Sequence, residues 1–308
     1  MTFQVYKGCK MRRFWPLVLF VIILSIALFS NQKSPESSID STQIPQRIIS
    51  LAPSITETLF AIGAGPQVVG VTKYCDYPSA TESLPKVGGF IDPNIEAIVA
   101  LQPDLVVLLT NHAGVIKQLK QLNINVLPVS NTSLDDIKQT ITTLGQATEH
   151  KDKAKQIVDN INAKIAVIKA KVANLPKPRV MIAMGHSIGS ENITQVFIAG
   201  KHDFFNDLIE LAGGTNAYQG THLKVPSVSI EGIMQLNPQV ILDVFPEPDD
   251  HRDDLNLILK RWHKMRYVDA IKNNRIHIIE EDYATIPGPR IFLLLEQIAP
   301  FIHPEVDW

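Results

Sequence analysis

From Arg47 onward, short aliphatic runs alternate with stretches in which apolar residues recur every three or four positions. RIIS, QVVGVT, DLVVLLT and NVLPVS have the length and β-branched content of strands, and TETLFAIGA, NIEAIVALQ and AGVIKQLKQL the spacing of amphipathic helices. Such alternation predicts a parallel sheet with crossover helices. From Asp135 to about Ala173 the pattern turns almost wholly helical. KDKAKQIVDNINAKIAVIKAKVANL, Lys151 to Leu175, contains neither Gly nor Pro and would extend about 35 Å at a helical rise of 1.5 Å per residue. PRVMIAMG, QVFIA, FFNDLIELAGG, QVILDVF and RIHIIE then restart the strand and helix rhythm.

An internal repeat supports division at the long helix. EAIVALQPDLVVLL, Glu96 to Leu109, and EGIMQLNPQVILDV, Glu231 to Val244, share a helix, turn and strand pattern with Glu, Leu and Pro in register. AIGAG and ELAGG both end predicted helices on Gly, as a C-terminal cap requires. The expected fold is α/β, with an N-terminal lobe over 47–148, a connecting helix over 149–175 and a C-terminal lobe over 176–308. Two related lobes imply a ligand cleft between them.

The first residues follow another pattern. Lys7, Lys10, Arg12 and Arg13 precede a charge-free apolar run from Phe14 to Ser30, so 1–30 is read as an export signal, either cleaved or retained as an inner-membrane anchor. No Cys closes that run, which argues against direct lipidation there. Residues 31–46 are polar and rich in Pro and Ser, a linker without apolar surface to pack. Beyond the signal only Cys75 remains, so the exported chain has no internal disulfide and must rely on its core.

The 308 residues suffice for two core-building units, and a formal charge of −2 gives no electrostatic footprint for nucleic acid. GHSIG, Gly185 to Gly189, matches a serine nucleophile elbow, and Asp243 and His277 follow in hydrolase order. The segment after Ser187 is β-branched and Gly-broken where that elbow needs a helix, and His277 lies in a strand pattern. An exported serine hydrolase is therefore the alternative reading, and a non-enzymatic protein the main one. His112, His186 and His222 fall in loop-like positions without metal-site spacing, so no resident metal or cofactor is expected. Tyr74, Tyr77, Phe90, Phe197 and Tyr283 lie in loop-like segments, where the ligand crevices of α/β sheets are built. Arg290, in IPGPR, suits an anionic ligand group, or carbonyls or a carboxylate within its own lobe. Glu57 stands three residues after Ser54, a capping-box spacing, and Glu231 two after Ser229; helix electrostatics alone accounts for both acids.

RIISLAPSITETLFAIGAGPQVVGVTKYCDYP, LPKVGGFIDPNIEAIVALQPDLVV, FFNDLIELAGGTNAY, VSIEGIMQLNPQVIL, PGPR and the closing IHPE together resemble the class III substrate-binding proteins of ABC importers. That resemblance spans about Arg47 to Glu305 and implies two Rossmann-like lobes joined by one rigid helix, with the ligand held between them. It implies a periplasmic monomer that carries cobalamin, haem or a ferric siderophore to a permease dimer with its cytoplasmic ATPase; a membrane-anchored sensor with the same fold is a further alternative. It places Tyr74, Phe90, Phe197 and Tyr283 in the ligand cleft, and Arg290 is the candidate polar contact beside them. Glu57 and Glu231 take the permease-docking positions, with Glu96 as a capped comparison that has no transport role. The cobalamin-binding subfamily is the nearest, although its cleft tryptophans are missing near Thr110 and Val225.

Overall fold

The computed structural model describes residues 44–186, 193–245 and 255–308. The expected export segment 1–30, most of the linker and Ser187 to Gly189 of GHSIG lie outside those ranges. Among the described residues no helix is long and apolar enough to cross a membrane. Ile44–Trp308 forms one compact unit.

The first half runs β1 (Ile48–Ser50), α1 (Pro53–Ala61), β2 (Val68–Val71), α2 (Ile95–Ala100), β3 (Leu105–Leu109), α3 (Ala113–Gln121) and β4 (Val126–Val129). Its strands pair in the order β2-β1-β3-β4, all parallel. Val106, Val107 and Leu108 on β3 are fully buried, so both sheet faces are covered and the strand reads as a continuous apolar run. α4 (Leu134–Ala147) and the long α5 (Lys151–Val172) follow.

The second half continues through β5 (Arg179–His186), β6 (Gln195–Ile198), α6 (Phe204–Leu211), β7 (Thr215–Asn216), β8 (Ser227–Ser229), α7 (Ile230–Leu236), β9 (Val240–Val244), α8 (Leu255–His263), α9 (Asp269–Lys272), β10 (Ile276–Ile279) and α10 (Ile291–Ile302). Its sheet has the order β10-β9-β5-β6-β8, with β7 beside β5. β5, β9 and β10 are mutually parallel, whereas β6 runs antiparallel to both β5 and β8. This departs from the all-parallel expectation for a physical reason. The link from His186 to Gln195 is too short for the crossover of a dozen or more residues that a parallel neighbour needs.

α5 buries Ala154, Ile161, Ile168 and Val172, one stripe along its length. It packs on α4 from the first half and on α10 from the second, where Lys164 donates to Glu296 at 2.6 Å. A single core cluster therefore passes from Ile48 and Ile55, through Ile161 and Ile168, to Val180, Leu242 and Ile298. Both Gly-ended helices close as expected: Gly63 and Gly213 hold φ of +95° and +81°. Gly213 also has no room for a side chain, since a Cβ there would lie 2.7 Å from His303 Nε2 and 2.8 Å from Val172 Cβ.

Candidate functional site

The parallel strands set where loop residues gather. Tyr74 and Tyr77 follow the carboxyl end of β2, His112 that of β3, and Tyr283 and Arg290 that of β10. Carboxyl ends of neighbouring parallel strands lie along one edge of a sheet, where α/β folds place their crevices. Arg290 brings the two edges together. Its Nε and Nη2 donate to Glu57 at 2.9 and 2.6 Å, and its Nη1 and Nη2 donate to Asp282 at 3.0 and 2.9 Å. Glu57 belongs to α1 of the first half, and Asp282 to the turn after β10 in the second. The guanidinium also lies 3.9 Å from the centre of the Tyr77 ring and 5.6 Å from that of Tyr283.

This geometry corrects the expectation for Glu57. Pro53 occupies the first turn of α1 and Ala52 is its N-cap, so the helix begins before Ser54 and no capping box forms. Glu57 is one turn further in, 2% exposed, with both oxygens committed to Arg290. It does not stand on the surface as a docking acid. Burial raises its pKa, opposed by its bonds and charge interaction with Arg290. Burial alone would lower the pKa of Arg290, but the bonds and charges of Glu57 and Asp282 outweigh it and hold the guanidinium protonated.

Glu231 stands where expected, exposed in the first turn of α7, whose N-cap Ser229 accepts from Gly232 N at 3.3 Å. Backbone hydrogen bonding and Ser229 lower its pKa. Its repeat partner Glu96 is placed alike: exposed, in the first turn of α2, whose N-cap Asn94 accepts from Ala97 N at 3.0 Å. The repeat pairs Glu231 with Glu96, and Glu57 is the outlier.

The other expected cleft residues fall into smaller groups. Tyr74 is half exposed, with Lys73 Nζ 4.9 Å from its ring centre. Phe90 meets the His112 ring edge-on at 4.7 Å, and burial lowers the pKa of that histidine, which favours the neutral imidazole. Phe197 projects from the interior of β6, exposed, and no ring contact joins it to the other four among the described residues. A shallow depression of about 550 Å³ on the outer face of α3 holds none of these aromatics.

The hydrolase arrangement does not assemble. Asp243 is fully buried and accepts from Trp262 Nε1 at 2.7 Å, with His186 Nε2 at 3.2 Å from the same oxygen. His277 stacks on Phe301 at 4.1 Å; the residue of β10 beside Asp243 is Ile278, and successive side chains alternate between sheet faces. His222 is exposed, and among the described residues no three His, Cys, Asp or Glu side chains gather as metal ligands.

A sequence profile described as "Periplasmic binding protein" matches residues 48–283, most of the chain. The chain belongs to the periplasmic binding protein family. This is a family of substrate-binding proteins and not of enzymes, and its two-lobed architecture accounts for the paired sheets and the bridging α5. Among its relatives is the Bacillus subtilis (strain 168) protein named "Uncharacterized ABC transporter substrate-binding lipoprotein YvrC", 29% identical over 269 residues, which span 85% of this chain and 81% of that one. The vitamin B12-binding protein of Vibrio vulnificus (strain CMCP6) is 28% identical over 255 residues, 82% of this chain and 88% of that one. Among solved structures, one described as a possible iron-binding (periplasmic solute-binding) protein from Staphylococcus epidermidis ATCC 12228 superposes with a TM-score of 0.69 at 29% identity, covering 85% of this chain and all of that one.

Asp282 was missed as a site residue, as was the partnership of Glu57 with Arg290. The pair is 233 residues apart in sequence, and no local pattern joins them.

Proposed function

We propose that this protein is the exported substrate-binding component of an ABC importer and that it captures a metal-chelate nutrient, with cobalamin ahead of haem and ferric siderophores. The observation that carries the reading is the meeting of the two sheet edges at Arg290, which sets Tyr77 of one half and Tyr283 of the other on a single cation. Flat aromatic surface from both halves suits a large, partly apolar ligand. Four N–H bonds of Arg290 are already directed at two carboxylates. That arginine has little left for a propionate or catecholate, which favours a chelate with neutral amide substituents. The names of the relatives, vitamin B12-binding and possible iron-binding, span the same ligand range.

Calorimetric titration of the Ile44–Trp308 unit with cyanocobalamin, haemin and a ferric siderophore tests the ligand. Saturable binding of cyanocobalamin in preference to the other two is expected, and heat from none of the three would overturn the reading.

For delivery to the permease, the exposed and equivalently capped Glu96 and Glu231 replace the earlier pair of Glu57 and Glu231. In reconstituted transport, Glu96→Ala and Glu231→Ala should each lower uptake while leaving ligand affinity unchanged. Uptake equal to wild type in both would remove the docking role.

A further inference from the structure

We propose that Arg290 is a positioning residue, a clasp that fixes the separation of the two halves before the ligand enters, and not itself a ligand contact. Its partners come from both halves: Glu57 and Tyr77 from the first, Asp282 and Tyr283 from the second. A guanidinium is a rigid planar fork, and two carboxylates gripping it constrain both distance and orientation in a way that a single ammonium does not. The Arg290 side chain is 14% exposed and that of Glu57 2%, whereas Asp282 is 60% exposed, so the half of the grip that crosses between the sheets is the dry half. Removal from water strengthens a hydrogen-bonded ion pair against exchange with solvent.

The surroundings support a fixed junction. The chain at Gly288, just before Arg290, lies against α1, with an ideal Cβ position 3.4 Å from the Ser54 carbonyl oxygen. A second tie joins the halves elsewhere: Asp207 on α6 accepts from Leu134 N, in the first turn of α4, at 2.7 Å. The clasp also orients aromatic surface. Tyr77, half exposed, presents one face to the guanidinium and is thereby held at the junction of the two edges. Freed from that cation, its ring would regain rotamer freedom that ligand binding would have to remove again.

The test uses the Ile44–Trp308 unit with spin labels on Val99→Cys and Met234→Cys. These are repeat-equivalent, exposed positions on α2 and α7, and the native Cys75 is fully buried. Pulsed electron resonance without ligand should give one narrow distance distribution for the parent. Glu57→Gln and Arg290→Lys should broaden it or move it to longer distance, and saturating cyanocobalamin should restore it. If the variants leave about one molecule in ten in the competent arrangement, affinity for cyanocobalamin falls about 10-fold, because apparent affinity scales with that fraction. Unchanged distributions in variants that still unfold cooperatively would overturn the clasp; so would a fall in affinity with no change in distance, which would return Arg290 to direct ligand contact. If either variant fails to fold, Tyr77→Leu and Asp282→Asn, at exposed side chains, take their place with the same two readouts. Distances that broaden as expected in a unit that binds no chelate would refute the ligand assignment and leave the clasp standing.

Discussion

The Asp243 cluster supports a stability prediction whose size can be worked from the structure. Trp262 is fully buried and donates its indole N–H to Asp243 at 2.7 Å, in the core of the second sheet. Trp262→Phe removes a hydrogen bond from a fully buried carboxyl, about 2 kcal/mol with the cost of a partner lost inside the core, and leaves Asp243 with His186 alone. The smaller ring also vacates space in a packed interior, about 1 to 2 kcal/mol more if the surroundings relax only in part. The total of about 3 to 4 kcal/mol corresponds to a fall in Tm of roughly 5 to 8 °C for a unit of this size. Far-UV circular dichroism through thermal and urea unfolding of the Ile44–Trp308 unit reads it. The hydrogen-bond share is isolated by repeating Trp262→Phe in an Asp243→Leu background, where only the packing loss of about 1 to 2 kcal/mol should remain. Equal cost in both backgrounds would refute the assignment of that share to the indole N–H.

Asp203 caps α6 by accepting from Phe205 N at 3.0 Å, and burial raises its carboxyl pKa to about 6. The native state thus holds this proton more tightly than the unfolded chain does, and its contribution to stability falls as pH rises between about 4 and 6. Asp203→Asn keeps a capping acceptor and cannot ionise; it should match wild type near pH 4 and exceed it at pH 8 by on the order of 2 kcal/mol, and a difference that stays flat with pH would exclude the effect. Gly213→Ala should cost about 2 to 3 kcal/mol in urea unfolding, since the new Cβ meets His303 and Val172 at a left-handed backbone position; a loss below about 0.5 kcal/mol would show that those neighbours yield freely.

The parts of this fold legible in the sequence are those that local periodicity governs. The strands of the first sheet, the long α5, the Gly-ended helices and the repeated helix and strand units were all readable. What escaped depended on geometry between elements. QVFIA reads as a strand whichever way it runs, and only the short link from His186 makes β6 antiparallel. Ser54 and Glu57 matched a capping box in spacing, yet Pro53, a good first-turn residue, started α1 earlier and turned Glu57 inward. The same repeat that supported two lobes already paired Glu231 with Glu96, so the exposed pair was available in the sequence. Glu57 does not share that exposed placement because its environment is set by a residue near the other end of the chain.

That separation also bears on how the protein acquires its structure. Glu57 emerges early in synthesis, and its partner follows only 233 residues later. A first half folded alone would therefore bury a carboxylate with no counter-charge, a costly state that favours keeping α1 loosely docked. Arrival of β10 and α10 supplies the arginine at the same moment as α10 covers α5, coupling completion of the second half to consolidation of the first. A chain truncated before Arg290 should accordingly be a good substrate for proteases in its first hundred residues, not only at its broken end.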